Sequence, residues 1–134
     1  MDFTADLGKL VLRLTLGCLL LLHGVAKIHN GVAGIVGRIS QVGAPSEVGY
    51  LVYIGEVLAP LLLIAGLWTR AAALIAAINM VVAVLLAHPS QLGELGRSGG
   101  WALELQGFYF FTAVAIMLLG AGKLSVGGAS GKLN

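Results

Sequence analysis

Six side chains that could exchange protons or bind a ligand stand within or beside long apolar runs of the sequence: His23, Lys27, Glu56, His88, Trp101 and Glu104. Imidazole and carboxylate groups exchange protons, whereas ammonium and indole groups donate hydrogen bonds. An ionised side chain near the centre of a bilayer costs about 2.5–3.5 kcal/mol on insertion scales. We therefore predict that these six residues line a ligand-binding site.

Glu56 and His23 are the strongest candidates because of their depth. At 1.5 Å per residue, Glu56 lies roughly 12 Å inside the second apolar run, and His23 lies roughly 8 Å inside the first. His23 and Lys27 are four residues apart, so they share one face of a helix. Glu56 is a natural partner for either of them. Pro60 lacks an N–H and leaves the Glu56 carbonyl without its usual helical donor.

Each of the other candidates also has a purely structural interpretation. Lys27 could extend its ammonium group to the membrane interface. His88 and Trp101 stand at the ends of apolar runs, where interfacial anchoring is common. Glu104 could be an acid favoured at a helix N-terminus. Asn79, in the middle of the third run, is predicted to make a helix–helix hydrogen bond.

Four apolar runs carry these residues and predict an all-α integral membrane protein. The chain is 58% hydrophobic and 10% charged, against about 25% charged in an average soluble domain. A spanning helix needs roughly 20 mostly apolar residues, and residues 9–28, 48–68, 70–88 and 102–120 meet that requirement. Unbroken apolar runs favour helices over barrel strands, which alternate with polar residues.

The connections predict one antiparallel four-helix bundle that occupies residues 1–134 as a single domain. Thr69 and Arg70 leave room only for a tight hairpin, whereas the first loop, residues 29–47, is longer. The glycine-rich tail after Gly122 is expected to fray. In an antiparallel bundle the first and third loops share one side, so all six candidates fall in the same half of the membrane.

Charge and cysteine content exclude several functional classes. A net charge of +2, dispersed along the chain, does not indicate nucleic-acid binding. Cys18 is the one cysteine, which excludes an intramolecular disulfide. No catalytic or metal-binding motif is present. The apolar run continues through Leu22, so we expect the first segment to be a retained span rather than a cleaved signal.

Positive residues indicate the orientation. Five lysines and arginines fall on the side of both termini and three on the other: Lys9, Arg13, Arg70, Lys123 and Lys132 against Lys27, Arg38 and Arg97. Because cytoplasmic loops carry the excess of positive charge, we predict a multi-pass protein of the cytoplasmic (inner) membrane with both termini in the cytoplasm.

Several short motifs, taken in order, resemble the DoxX family over nearly the whole chain. They are GCLLLLHGVAK at 17–27, Glu56 with Pro60, GLWTR at 66–70, His88, GGW at 99–101 with Glu104, and the closing GAGKLS at 120–125. The final motif resembles a Gly-x-Gly-x-x-Ser ending that an Asp often follows. Val126 stands here instead.

The resemblance implies a small four-span membrane protein associated with redox or stress systems. It suggests a subunit or accessory of a quinone-linked oxidoreductase, with partner subunits and a quinone as ligand. No cofactor is evident in the residues themselves, and whether the chain is an enzyme stays open. Two other classes fit the same residues: a small-solute transporter, which with four spans would have to act as a homo-oligomer, and a non-catalytic scaffold.

Overall fold

The computed structural model describes residues 3–30, 43, 51, 54–87, 93–97 and 99–134. Within them the chain forms helices and no strand. Helix α1 is Phe3–Asn30. A π-helix, Ile54–Leu58, runs directly into α2, Ala59–Ala65. Helices α3, Thr69–Ala87, and α4, Glu104–Leu119, follow. The prediction of an all-α four-helix bundle is confirmed.

The helices form an antiparallel ring in which each packs against its neighbours in the chain and α4 returns to α1. Its centre holds leucines of α1 and α2 and small residues of α3, such as Leu16, Leu63 and Ala76. Small residues allow helices to approach closely where lipid removes the hydrophobic drive between them. The predicted tight hairpin is confirmed, since Gly66 ends α2 with φ 77° and α3 begins at Thr69.

One helix in the described part of the chain is long and apolar enough to cross a membrane, over Phe3–Ala26. The three other apolar helices are shorter within the described residues: Ile54–Ala65, Thr69–Leu85 and Glu104–Leu119. Helix α1 begins six residues before the predicted first span, because Asp6 and Lys9 are accommodated by contacts with the chain that follows α4. The four spans at their predicted limits stay a prediction.

Arg13 connects three segments at the end of the bundle that holds both termini. Its side chain is fully buried. Nε donates to the Ala121 carbonyl at 3.2 Å and Nη1 to the carbonyls of Leu63 and Ile64 at 2.9 and 3.4 Å. Nη2 donates to the Leu124 carbonyl. The guanidinium therefore joins α1 to the end of α2 and to the chain beyond α4.

The tail is packed against the bundle, so the expectation that it frays is wrong. Asn134 Oδ1 accepts from the Thr69 N–H at 3.0 Å, and the Leu133 carbonyl accepts from the Arg70 N–H at 2.8 Å. These bonds satisfy N–H groups at the start of α3 that have no partner inside the helix. Composition alone suggested a mobile tail, but its polar groups pair with helix ends.

The tail also meets α1 and the α2–α3 turn. The Asp6 carboxylate is buried and accepts from the Lys123 N–H at 3.2 Å. The N–H groups of Val126 and Gly127 donate to the carbonyls of Ala65 and Gly66, both at 3.0 Å. A carboxylate of α1 thus reaches this end of the bundle.

We expect Arg13→Lys to lower the free energy of unfolding by about 2–4 kcal/mol. A lysine has one compact donor group and cannot span the four carbonyls on two segments that Arg13 bonds, so buried carbonyls lose their partners. Thermal melting in detergent would measure the effect. Arg97→Lys, at an exposed position, is the matched control and should melt like the wild type. Equal melting of the two variants would contradict the role assigned to Arg13.

Candidate functional site

Glu56 is held inside the bundle by an amide from a neighbouring helix. The residue is 3% exposed, and Asn79 Nδ2 donates to its Oε1 at 3.2 Å. Burying a carboxylate is tolerable only where it is hydrogen-bonded or paired. The helix–helix hydrogen bond predicted for Asn79 is confirmed, and it joins α3 to the π-helix.

The π-helix is the local structure that positions Glu56. Pro60, one residue into α2, lacks the N–H that would bond the Glu56 carbonyl in an α-helix. The turn before it is wound as a π-helix instead, a form that often accompanies functional sites. Gly55 lies against Asn79, since a Cβ at this glycine would come within 2.6 Å of the asparagine Cβ and Cγ. The glycine therefore lets the amide approach Glu56.

Helix α1 contacts the same turn through Gly24. A Cβ on this glycine would lie 2.0 Å from the Glu56 carbonyl oxygen and 2.9 Å from Cγ2 of Val57. No rotamer change could relieve a contact with a backbone atom. Gly24 therefore sets how closely α1 approaches Glu56, and it places the adjacent residue, His23, at the same level of the bundle.

His23 contacts a tyrosine of α4. The two rings form an edge-to-face pair with centroids 5.9 Å apart, and His23 Nε2 lies 3.5 Å from the Tyr109 hydroxyl. Tyr109 is 9% exposed, whereas His23 is an exposed residue. Tyr109 was not among the residues predicted from the sequence. Tyr109 lies seven residues after Ala102, the start of the fourth run, and this depth is similar to that of His23 in the first run. That similarity is the signal that could have indicated it.

Two other predicted site residues lie at the start of α4. Trp101 packs over Gly107, where an added Cβ would meet the indole at 2.5 Å. Its ring also lines an apolar groove with Met80 and Phe110. Glu104, exposed at the first position of α4, turns toward Gly100. This position agrees with the alternative interpretation of Glu104 as an acid at a helix N-terminus.

Two of the six predicted site residues stay predictions. His88 and the side chain of Lys27 lie outside the described part of the chain, so the pairing of Lys27 with Glu56 stays a prediction. Two polar contacts of the site are those of Glu56 with Asn79 and of His23 with Tyr109. Within the described residues, no three His, Cys, Asp or Glu side chains come together as a metal site would require.

This arrangement defines a class of protein: a small apolar helical bundle with a buried carboxylate and an imidazole–phenol pair toward one end. The DoxX family model matches residues 8–89, more than half of the chain, so the protein belongs to the DoxX family, which is a family of membrane proteins. The matched range contains Arg13, His23, Glu56 and Asn79, but not Tyr109.

A curated relative carries a functional name. "Putative oxidoreductase CatD" of Bacillus subtilis (strain 168) is 27% identical over 85 residues, which make up 63% of this chain and 63% of that protein. The chain therefore spans less than two thirds of that relative's length. No solved structure matches the chain.

Gly24→Ala should destabilise the protein by about 1–3 kcal/mol, because the new methyl group would collide with the Glu56 carbonyl oxygen and force α1 away. Gly8→Ala in the same helix is the control. A Cβ at Gly8 meets nothing within 4 Å, so this substitution should stabilise the helix by about 0.5–1 kcal/mol. Melting temperatures measured in one detergent would check both signs. If Gly24→Ala melted at or above the wild-type temperature, the close approach would be refuted.

Proposed function

We propose that this DoxX-family protein is a membrane subunit or accessory of a redox system and that it binds the head group of a quinone beside Glu56. The buried Glu56 carboxylate, hydrogen-bonded by the Asn79 amide, carries the proposal, because an ionisable side chain at this depth is costly to bury and commonly marks a functional site. The oxidoreductase name of the Bacillus relative is consistent with it.

The residues suit proton exchange with a bound quinol. A carboxyl group can take or give one proton, and an imidazole hydrogen-bonded to a phenol can take or give a second. A quinone carbonyl accepts hydrogen bonds, and the amide of Asn79 and the hydroxyl of Tyr109 are donors. Reduction of a quinone to its quinol takes two electrons and two protons. A partner subunit would supply the electrons, and this chain would bind the head group and deliver the two protons.

A non-catalytic scaffold is the second candidate, and one observation favours it. The Asn79–Glu56 hydrogen bond joins two helices, and buried polar pairs can serve only to specify packing. This function and the redox function differ in their response to Glu56→Gln. The amide preserves shape and hydrogen-bonding capacity but cannot ionise, so a scaffold would be altered only in stability.

Quinone binding should depend on Glu56 and His23. We expect wild-type protein to shift the absorbance of a soluble quinone analogue on titration. A Glu56→Gln/His23→Ala variant should bind the analogue at least about tenfold more weakly, which corresponds to a loss of about 1.4 kcal/mol in binding free energy. Glu94→Gln/His29→Ala alters an exposed carboxylate and an exposed imidazole and serves as the matched control. Equal affinity of all three proteins would refute the proposed site.

We further propose insertion in the inner membrane with both termini in the cytoplasm, supported by the excess of positive residues on that side. In a Cys18→Ala background, a membrane-impermeant maleimide applied to intact cells should label Arg97→Cys and leave Lys132→Cys unlabelled. Both positions are exposed, so permeabilised cells should show labelling of both. Labelling of Lys132→Cys alone on intact cells would show the opposite orientation, with both termini outside the cytoplasm.

A further inference from the structure

An apolar cleft of about 230 Å³ lies between the π-helix and α3. Its walls are the aliphatic side chains of Leu51, Ile54, Ile75, Ile78 and Val82, all of them exposed. Gly55 and Asn79 are its two least exposed lining residues. The cleft is therefore apolar at its rim and carries a single polar side chain at its deeper part.

Asn79 connects this cleft with the buried carboxylate. The same carboxamide that lines the cleft donates to Glu56 Oε1. Within the described part of the chain this is the one side-chain hydrogen bond that Asn79 makes. An amide nitrogen has two N–H groups and an amide oxygen has two lone pairs, so Asn79 can bond Glu56 and a ligand at the same time.

Gly55 keeps the cleft open at that point. A Cβ there would lie within 2.7 Å of Asn79 Cβ, Cγ and Oδ1. A larger residue would therefore displace the amide. The glycine and the π-helix together bring an exposed apolar surface into contact with a polar group one hydrogen bond away from Glu56.

We propose that this cleft is a lateral opening through which the head group of a tailed, lipid-soluble quinone reaches Asn79 and Glu56 from the bilayer, while its isoprenoid tail stays between Ile54 and Ile78. The proposal rests on the proposed function and specifies its substrate class. Aliphatic walls are as apolar as the surrounding lipid tails, so an isoprenoid tail can lie along them without a desolvation cost. A hydrated or charged solute would lose its water along the same walls without compensation.

Plugging the cleft would test this route. The probes are a naphthoquinone with a short isoprenoid tail and the same head group without a tail, titrated against full-length protein in lipid nanodiscs. Ile78→Trp fills the cleft from an exposed position. Leu74→Trp, on the same helix, exposed and outside the cleft, is the control. Val82→Trp is an independent second plug, to be used if Ile78→Trp melts below the control.

We expect wild type and Leu74→Trp to bind the tailed quinone alike, and the plugged variant to bind it about tenfold more weakly, which corresponds to about 1.4 kcal/mol. Unchanged affinity in the plugged variant, combined with lost affinity in Glu56→Gln, would overturn the lateral opening and leave the quinone site standing. Failure of the wild type to bind either probe would overturn the quinone function itself. Tighter binding of the tail-less head group than of the tailed one would also refute the opening.

Discussion

The buried guanidinium of Arg13 is the interaction on which the arrangement of the helices depends. A charge with no exposed surface is tolerable only if its N–H groups are matched by acceptors, and four backbone carbonyls supply them. Those carbonyls belong to the end of α2 and to the chain after α4. Moving any of these segments would leave donors or acceptors unpaired, so Arg13 determines the register of α1 against both of them.

That register has consequences at the opposite end of α1. Gly24 lies 11 residues beyond Arg13 in the same helix, roughly 16 Å along its axis. With the Arg13 end of α1 fixed, Gly17 packs on the Pro60 carbonyl and Gly24 packs on the Glu56 carbonyl. A side chain at either glycine would collide with that carbonyl. His23 then meets Tyr109 across the bundle. A contact at the end of the bundle that holds both termini thus positions the groups of the candidate site.

The sequence predicted the parts of this structure that depend on local composition and spacing. Apolar length indicated four helices, and the cost of burying a carboxylate singled out Glu56. The position of Asn79 in the middle of its run indicated a helix–helix hydrogen bond, but the partners predicted for Glu56 were Lys27 and His23 rather than Asn79. Tyr109 was missed because an aromatic residue in an apolar run is ordinary, and only its depth relative to His23 distinguishes it. The packed tail was missed because its order comes from pairing with the start of α3 through Leu133 and Asn134, which composition cannot show.

Arg13 and Glu56 are both buried ionisable residues, yet their surroundings suit different roles. The partners of Arg13 are backbone carbonyls fixed by the helices and tail, and they cannot turn toward a ligand without unfolding a segment. One described partner of Glu56 is the side chain of Asn79, whose amide can rotate about its side-chain torsions while α3 stays in place. A structural lock requires fixed acceptors, whereas a binding site requires groups that can exchange partners. The contrast assigns Arg13 to the fold and supports placing ligand chemistry at Glu56.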